Sequence, residues 1–249
     1  LARFLEEQRP SLADTSYTLS VGRRGFGKRR FALVNGLDDA IEVLDGGCPE
    51  RIFDREAPPD ERAIAFMFAG GGAQYPNMGR QLYDQEPVFT AAVDDCLQIL
   101  TRFIDFDLKP LLYPAPDFEE QAAIELQRPS RTLPALFVTQ YAQAQLWMSK
   151  GVMPAAMIGH SMGENTAACL AGVLSLEDAL GLVSLRGRLF ETVAPGGMLS
   201  VQLSEEELKP LLANDLDIAG ANAPGLTVVS GPAPVLEQLE RKLGDAFFM

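Results

Sequence analysis

A single histidine, His160, occurs among 249 residues, and this scarcity excludes an HExxH zinc hydrolase or any centre that needs two imidazoles. Cysteine is sparse as well. Cys48, Cys96 and Cys169 are odd in number, far apart and without CxxC spacing, which argues against a structural zinc site and predicts free thiols in a reducing compartment. No metal is expected. No run of about 18 apolar residues is present, so no transmembrane helix is expected. The opening LARFLEEQRPSLADTS carries charge where a secretory signal would be apolar, and the expected location is cytoplasmic. Basic residues are in the minority: 21 Lys and Arg against 34 Asp and Glu give a formal charge of −13. Such a chain is repelled by phosphate backbones and anionic lipid, so neither nucleic acid nor a membrane is an expected partner.

What is present is core-forming material. With 47% hydrophobic and 22% charged residues, the chain can fill one large domain or a main domain with a smaller one. Residues 1 to about 48 hold strand-like runs at Tyr17–Val21 and Phe31–Val34 and a helical pattern at Leu37–Leu44. The basic cluster Arg23, Arg24, Lys28, Arg29 and Arg30 is read as a solvated face opposite Asp38, Asp39 and Glu42 rather than as a binding patch. The turn-rich stretch from Gly46 to Asp60 reads as a linker. The apolar run Ala63–Phe68 then predicts a buried parallel strand that leads directly into Gly70-Gly71-Gly72. Helices are expected at 79–100, 119–126 and 134–150, the last with Pro134 in its first turn.

A second short apolar run, 155–158, precedes Gly159-His160-Ser161-Met162-Gly163 and a helical pattern at 164–171. This is G-x-S-x-G between a strand and a helix. Gly159 and Gly163 relieve crowding at a sharp turn, Ser161 is presented as a nucleophile, and the backbone N–H of Met162 is aimed at a developing oxyanion. The loop Gly70–Gly72 is a candidate for the second donor, although packing or a phosphate cradle would use the same residues. Ser175 opens another helix, which carries Arg186 in an otherwise apolar segment. A guanidinium there suits a planar carboxylate, supplied either by a ligand or by an internal acidic residue. Beyond the turn at Ala194–Gly197 the pattern becomes β-α-β-β-α, most of a split βαβ unit, and Phe247-Phe248-Met249 is read as the start of its last strand.

In order, FAGGGAQYPNMG (68–79), PALFVTQYAQAQLW (134–147), GHSMGENTAACLAGVLSLEDAL (159–180) and LRGRL (185–189) resemble the malonyl-type acyltransferase family that loads extender units onto acyl carrier proteins. LADTSYTLSVGRRGFGKRRFALV (12–34) is similar to the ketosynthase-to-acyltransferase linker of type I modular polyketide synthases. The resemblance implies an α/β fold: a small α/β linker domain at 1–58, an α/β-hydrolase-like core at 59–195 and a ferredoxin-like small subdomain at 196–249, the last two incomplete. It implies transfer of a malonyl-type unit from coenzyme A to a carrier protein through an acyl-serine intermediate, in secondary-metabolite synthesis.

Within that resemblance Ser161 matches the nucleophile, and Arg186, 25 positions later, matches the arginine that holds the extender carboxylate. Gly71 matches the second oxyanion donor, at a position where the family usually has glutamine. Leu133 replaces another common glutamine beside the acyl pocket, and Asn222 matches an asparagine near the mouth of the site. Met162 is bulky enough to crowd an α-branch, which favours malonyl over methylmalonyl. Arg188 is read as structural. No bound cofactor is expected: coenzyme A and the phosphopantetheine arm enter as substrates. The implied partners are malonyl-CoA or a substituted malonyl-CoA, an acyl carrier protein and an adjacent ketosynthase domain. His160 is given a structural hydrogen bond beneath the elbow, because its neighbouring position prevents it from facing Ser161. The family's basic histidine lies on a later segment, so the chain is expected to lack its base and to be inactive alone. Two other readings are a non-catalytic structural fragment of a multidomain synthase and a generic serine esterase.

Overall fold

The computed structural model describes residues 1–22, 24–56 and 63–244. Two units are present, Leu1–Ile64 and Ala65–Met249. The expected boundary at 58/59, Arg23 of the basic cluster, Ala57–Asp60 of the linker and the strand start at 247–249 lie outside the described residues.

The first unit has helices α1 (Ala2–Gln8), α2 (Leu12–Val21) and α3 (Leu37–Leu44), with antiparallel strands β1 (Lys28–Ala32) and β2 (Ile52–Glu56). Leu5 of α1 packs with Ala40 and Val43 of α3 to form its small core. Tyr17–Val21, expected as a strand, is the end of α2. Ser11 accepts from the Asp14 N–H at 3.3 Å and starts a helix, and α2 buries no residue, so the alternating pattern has no apolar face to lie on. The linker reading is corrected in part, because Ile52–Glu56 is a strand. Its pairing comes from the antiparallel partner β1, which precedes α3: Phe53 stacks on Phe31 with ring centroids 4.7 Å apart, and Arg30 forks onto Asp54 at 2.7 and 2.8 Å. Asp38 and Asp39 do pair with arginines, but with Arg9 and Arg51 rather than with the basic cluster.

The second unit opens with β3 (Ala65–Phe68), which pairs in parallel with β4 (Ala156–Gly159). Between them lie α4 (Arg80–Gln85), α5 (Pro87–Leu100), α6 (Lys109–Leu112), α7 (Glu119–Glu125) and α8 (Pro129–Ser149); α9 (Gly163–Leu170) and α10 (Leu176–Phe190) follow β4. The helix expected over 79–100 breaks at Glu86, which is extended (φ −112°, ψ 102°) because Pro87 disfavours the helical conformation in the residue before it. The helix expected from Pro134 begins earlier: Pro129 occupies the first turn, and Pro134 lies inside α8. The long helix α8 is the hub of the core, burying Leu136, Phe137, Val138 and Ala142 against α5 and α10.

The remainder is β5 (Gly197–Val201), α11 (Glu205–Leu208), β6 (Asp217–Ala223), β7 (Leu226–Gly231) and α12 (Ala233–Leu243). The sheet order β5-β7-β6, antiparallel throughout, is that of a split βαβ unit. Ser204 and Glu207 form a capping box, and Val201, Leu208, Val229 and Leu239 form a separate core. Among the described residues no helix is long and apolar enough to cross a membrane.

The start of α8 is tied to the end of α10 through Glu191. Its carboxylate accepts from the Ser130 hydroxyl, from Arg128 at 3.0 Å and from the Ser130 N–H at 3.2 Å, which together hold its pKa down to about 2. A folded pKa below the ordinary 4.5 stabilises the fold above that pH, and the contribution is lost as pH falls from about 4.5 towards 2. In urea titrations Glu191→Gln is expected to be less stable than wild type at pH 6, with the gap closing as the pH falls through that window. A gap independent of pH would contradict this assignment.

Candidate active site

The elbow follows from backbone crowding. Strands β3 and β4 run parallel with Phe68 opposite Gly159, so the segments that leave them emerge at the same edge of the sheet. The N–H of His160 donates to the Phe68 carbonyl at 2.9 Å, and α9 starts three residues later. A Cβ on Gly159 would lie 2.1 Å from the Glu164 nitrogen, and one on Gly163 would lie 2.2 Å from the Phe68 oxygen. No side chain fits at either position. Between them Ser161 adopts φ +52°, a left-handed conformation that L-residues other than Gly, Asn and Asp rarely hold. Its side chain is exposed, while Met162 beneath it is wholly buried.

The glycine loop reaches this turn. A Cβ on Gly70 would lie 3.2 Å from the Ser161 Cβ and 2.8 Å from Nδ1 of His160. Gly71 faces open space, with no atom within 4 Å of its Cβ position. Neither the Gly71 N–H nor the Met162 N–H meets a protein acceptor among the described residues, whereas the Gly72 N–H donates to Gln74 Oε1 at 2.8 Å. The first two N–H groups are thus left without a protein acceptor there.

The role expected of His160 is corrected in its atoms. The hydrogen bond beneath the elbow is made by its backbone N–H; among the described residues its exposed imidazole makes none. Arg186 is half-buried on α10, 5.8 Å from the Phe190 ring centroid. Among the described residues no carboxylate pairs with it, although Arg102, Arg128 and Arg131 all find glutamates nearby. The internal salt bridge is therefore absent there. The close approach of α10 to α8 fixes the segment: a Cβ on Gly187 would lie 2.6 Å from the Pro129 carbonyl oxygen. Arg188 is exposed and makes no ion pair among the described residues.

Leu133, on α8, is only 7% exposed and belongs to the hydrophobic core. Met162 is wholly buried and belongs to the same core. Asn222 is exposed on β6 at a register shift of the small sheet, away from the contacts that build the elbow. A cavity in the small subdomain, lined by Leu211, Leu212, Leu216 and Leu239, shares no residue with the elbow. Cys96 is fully buried, and its burial pushes the thiol up to about 12.

Two residues of the site were not singled out from sequence. Gln140 of α8 donates to the Ala69 carbonyl at 2.8 Å and accepts from the Thr166 hydroxyl at 3.0 Å. Its signal was a polar residue at core-face spacing from Leu133 and Phe137.

An α/β core with a strand-serine-helix elbow and an appended split βαβ unit defines a class of acyl-handling domains. The chain belongs to the acyl transferase domain family of polyketide synthases: residues 65–249 match the model described as "Acyl transferase domain", and residues 1–44 match "CurL-like, PKS C-terminal". It is 38% identical over 243 residues to polyketide synthase GfsB of Streptomyces halstedii, covering 94% of this chain and 4% of that protein. The solved acyl transferase domain of ZmaA matches with a TM-score of 0.89 at 39% identity, covering 98% of this chain and 57% of that one. Malonyl CoA-acyl carrier protein transacylase from Clostridium perfringens matches with a TM-score of 0.60 at 26% identity, covering 73% of this chain and 57% of that one. The chain thus spans a small part of its curated relative and somewhat over half of these solved chains.

Gly163→Ala is expected to destabilise the fold by about 3 kcal/mol or more, because the clash is with backbone, whereas Gly71→Ala stays within about 0.5 kcal/mol. Urea midpoints of the two variants test the pair, and equal effects would contradict it.

Proposed function

We propose that this chain transfers a malonyl-type acyl group from coenzyme A to the phosphopantetheine thiol of an acyl carrier protein, through an ester on Ser161. The observation that carries this reading is Ser161 itself, exposed at φ +52° on the elbow with the Gly70–Gly72 loop against it. In the first half-reaction Ser161 Oγ loses its proton to a base and attacks the thioester carbonyl. The N–H groups of Met162 and Gly71 stabilise the tetrahedral oxyanion, the C–S bond breaks, and the coenzyme A thiolate takes up a proton. In the second, the carrier thiolate attacks the ester and Ser161 regains its proton.

Arg186 supplies selectivity. Half-buried and without a carboxylate partner among the described residues, it suits the free carboxylate of a malonyl or substituted malonyl unit. A simple acyl group would leave that guanidinium unpaired. His160 is not the base in this reading, since its ring lies beside Gly70 and makes no bond to Ser161. Residues 1–58 are read as the linker from a neighbouring ketosynthase domain, which the match of 1–44 to a polyketide synthase segment supports.

Ser161→Ala is expected to abolish labelling by radiolabelled malonyl-CoA in the longest polypeptide that carries this chain; retained labelling would remove Ser161 as the acyl acceptor. Arg186→Ala is expected to raise the ratio of acetyl to malonyl loading at least about tenfold. An unchanged ratio in that competition assay would remove Arg186 as the carboxylate anchor.

A further inference from the structure

Three consecutive glycines are poor material for a fixed hydrogen-bond donor. Gly70, Gly71 and Gly72 have no side chains to pack, Gly72 sits at φ +103°, and the position of Gly71 faces open space. An oxyanion donor nevertheless has to be aimed before the charge develops. Gly72 is held within the loop by Gln74 at 2.8 Å, and the start of the loop is restrained from outside it. At its start, the carboxamide of Gln140 donates through Nε2 to the Ala69 carbonyl at 2.8 Å. The same carboxamide accepts through Oε1 from Thr166 at 3.0 Å; Thr166 is fully buried on α9, one turn beyond the elbow. The Ala69 carbonyl faces the start of that helix, since a Cβ on Gly163 would lie 2.9 Å from it. One planar amide thus joins the peptide before the glycines to the helix that carries Met162.

We propose that Gln140 is a positioning residue that sets the Gly71 N–H against the Met162 N–H, a role that rests on the acyl-serine reading above. Both partners of the amide are used, so glutamate is not a substitute for it. A carboxylate at 140 still accepts from Thr166 but has no proton to give to the Ala69 carbonyl, and repels it. Leucine loses both bonds and strands the buried Thr166 hydroxyl.

The test is single-turnover acylation of Ser161 by malonyl-CoA in the full polypeptide, with Gln140→Glu, Gln140→Leu and Thr166→Val. A misaimed donor slows the chemical step and leaves substrate binding alone, so Gln140→Glu is expected to cut the limiting rate about 10- to 100-fold, with the half-saturating concentration unchanged. Adding Thr166→Val to Gln140→Leu is expected to cost nothing further. A wild-type limiting rate in Gln140→Glu, or a loss confined to half-saturation, would overturn the proposal. If wild-type Ser161 accepts no acyl group, the acyl-serine reading falls, and hydrogen exchange over 69–73 decides the clamp separately. Faster exchange in Gln140→Leu supports it, and unchanged exchange overturns it.

Discussion

The contact on which the site depends is between two stretches of backbone, the Phe68 carbonyl at the end of β3 and Gly163 at the start of α9. A methyl group at 163 would lie 2.2 Å from that oxygen, so the approach exists only because the residue is glycine. It brings the exits of two neighbouring parallel strands together, one carrying the glycine loop and the other the serine. Loops at the carboxyl ends of parallel strands are where open α/β sheets bind ligands. Here the two strands pair over only Ala65–Phe68 and Ala156–Gly159, so the geometry of the site falls to the elbow and to the helices that pack on it. The strain at Ser161 is sustained by the Phe68 bond to His160 and by the double bonding of Asn165, through N at 2.9 Å and Nδ2 at 2.8 Å, to the Met162 carbonyl.

Polar groups around the elbow divide into those that are satisfied and those left open. Gln140, Thr166, Asn165 and Glu191 all spend their hydrogen bonds within the protein. The Met162 and Gly71 N–H groups and the Arg186 guanidinium have no protein acceptor among the described residues. Polar groups away from water are ordinarily paired, so the buried Met162 and the half-buried Arg186 stand out, whereas the Gly71 N–H is exposed.

Most of this was legible where the signal was local. The G-x-S-x-G turn announced itself through flanking strand and helix patterns, the Ser204 capping box through spacing, and the β-α-β-β-α order through alternating periods. Failures had two sources, a distant partner and a nearby break or cap that outweighed the apolar pattern. Ile52–Glu56 is a strand because Arg30 and Phe31 lie opposite it, and the break at Glu86 reflects the restriction that Pro87 imposes on its predecessor. Tyr17–Val21 alternates like a strand yet pairs with neither β1 nor β2, and the Ser11 cap prevailed. The role of Gln140 depends on Ala69 and Thr166, 71 and 26 residues away in the chain, and no local pattern encodes that pairing.

The central claim is that the glycine-closed elbow presents Ser161 as the acceptor of a dicarboxylic acyl group. Peptide mapping by mass spectrometry after brief exposure of the longest polypeptide carrying this chain to malonyl-CoA tests it most directly. A malonyl ester is expected on Ser161, discharged by a carrier-protein thiol. An unmodified Ser161, or an ester on Ser161 that is inert to that thiol, would contradict it.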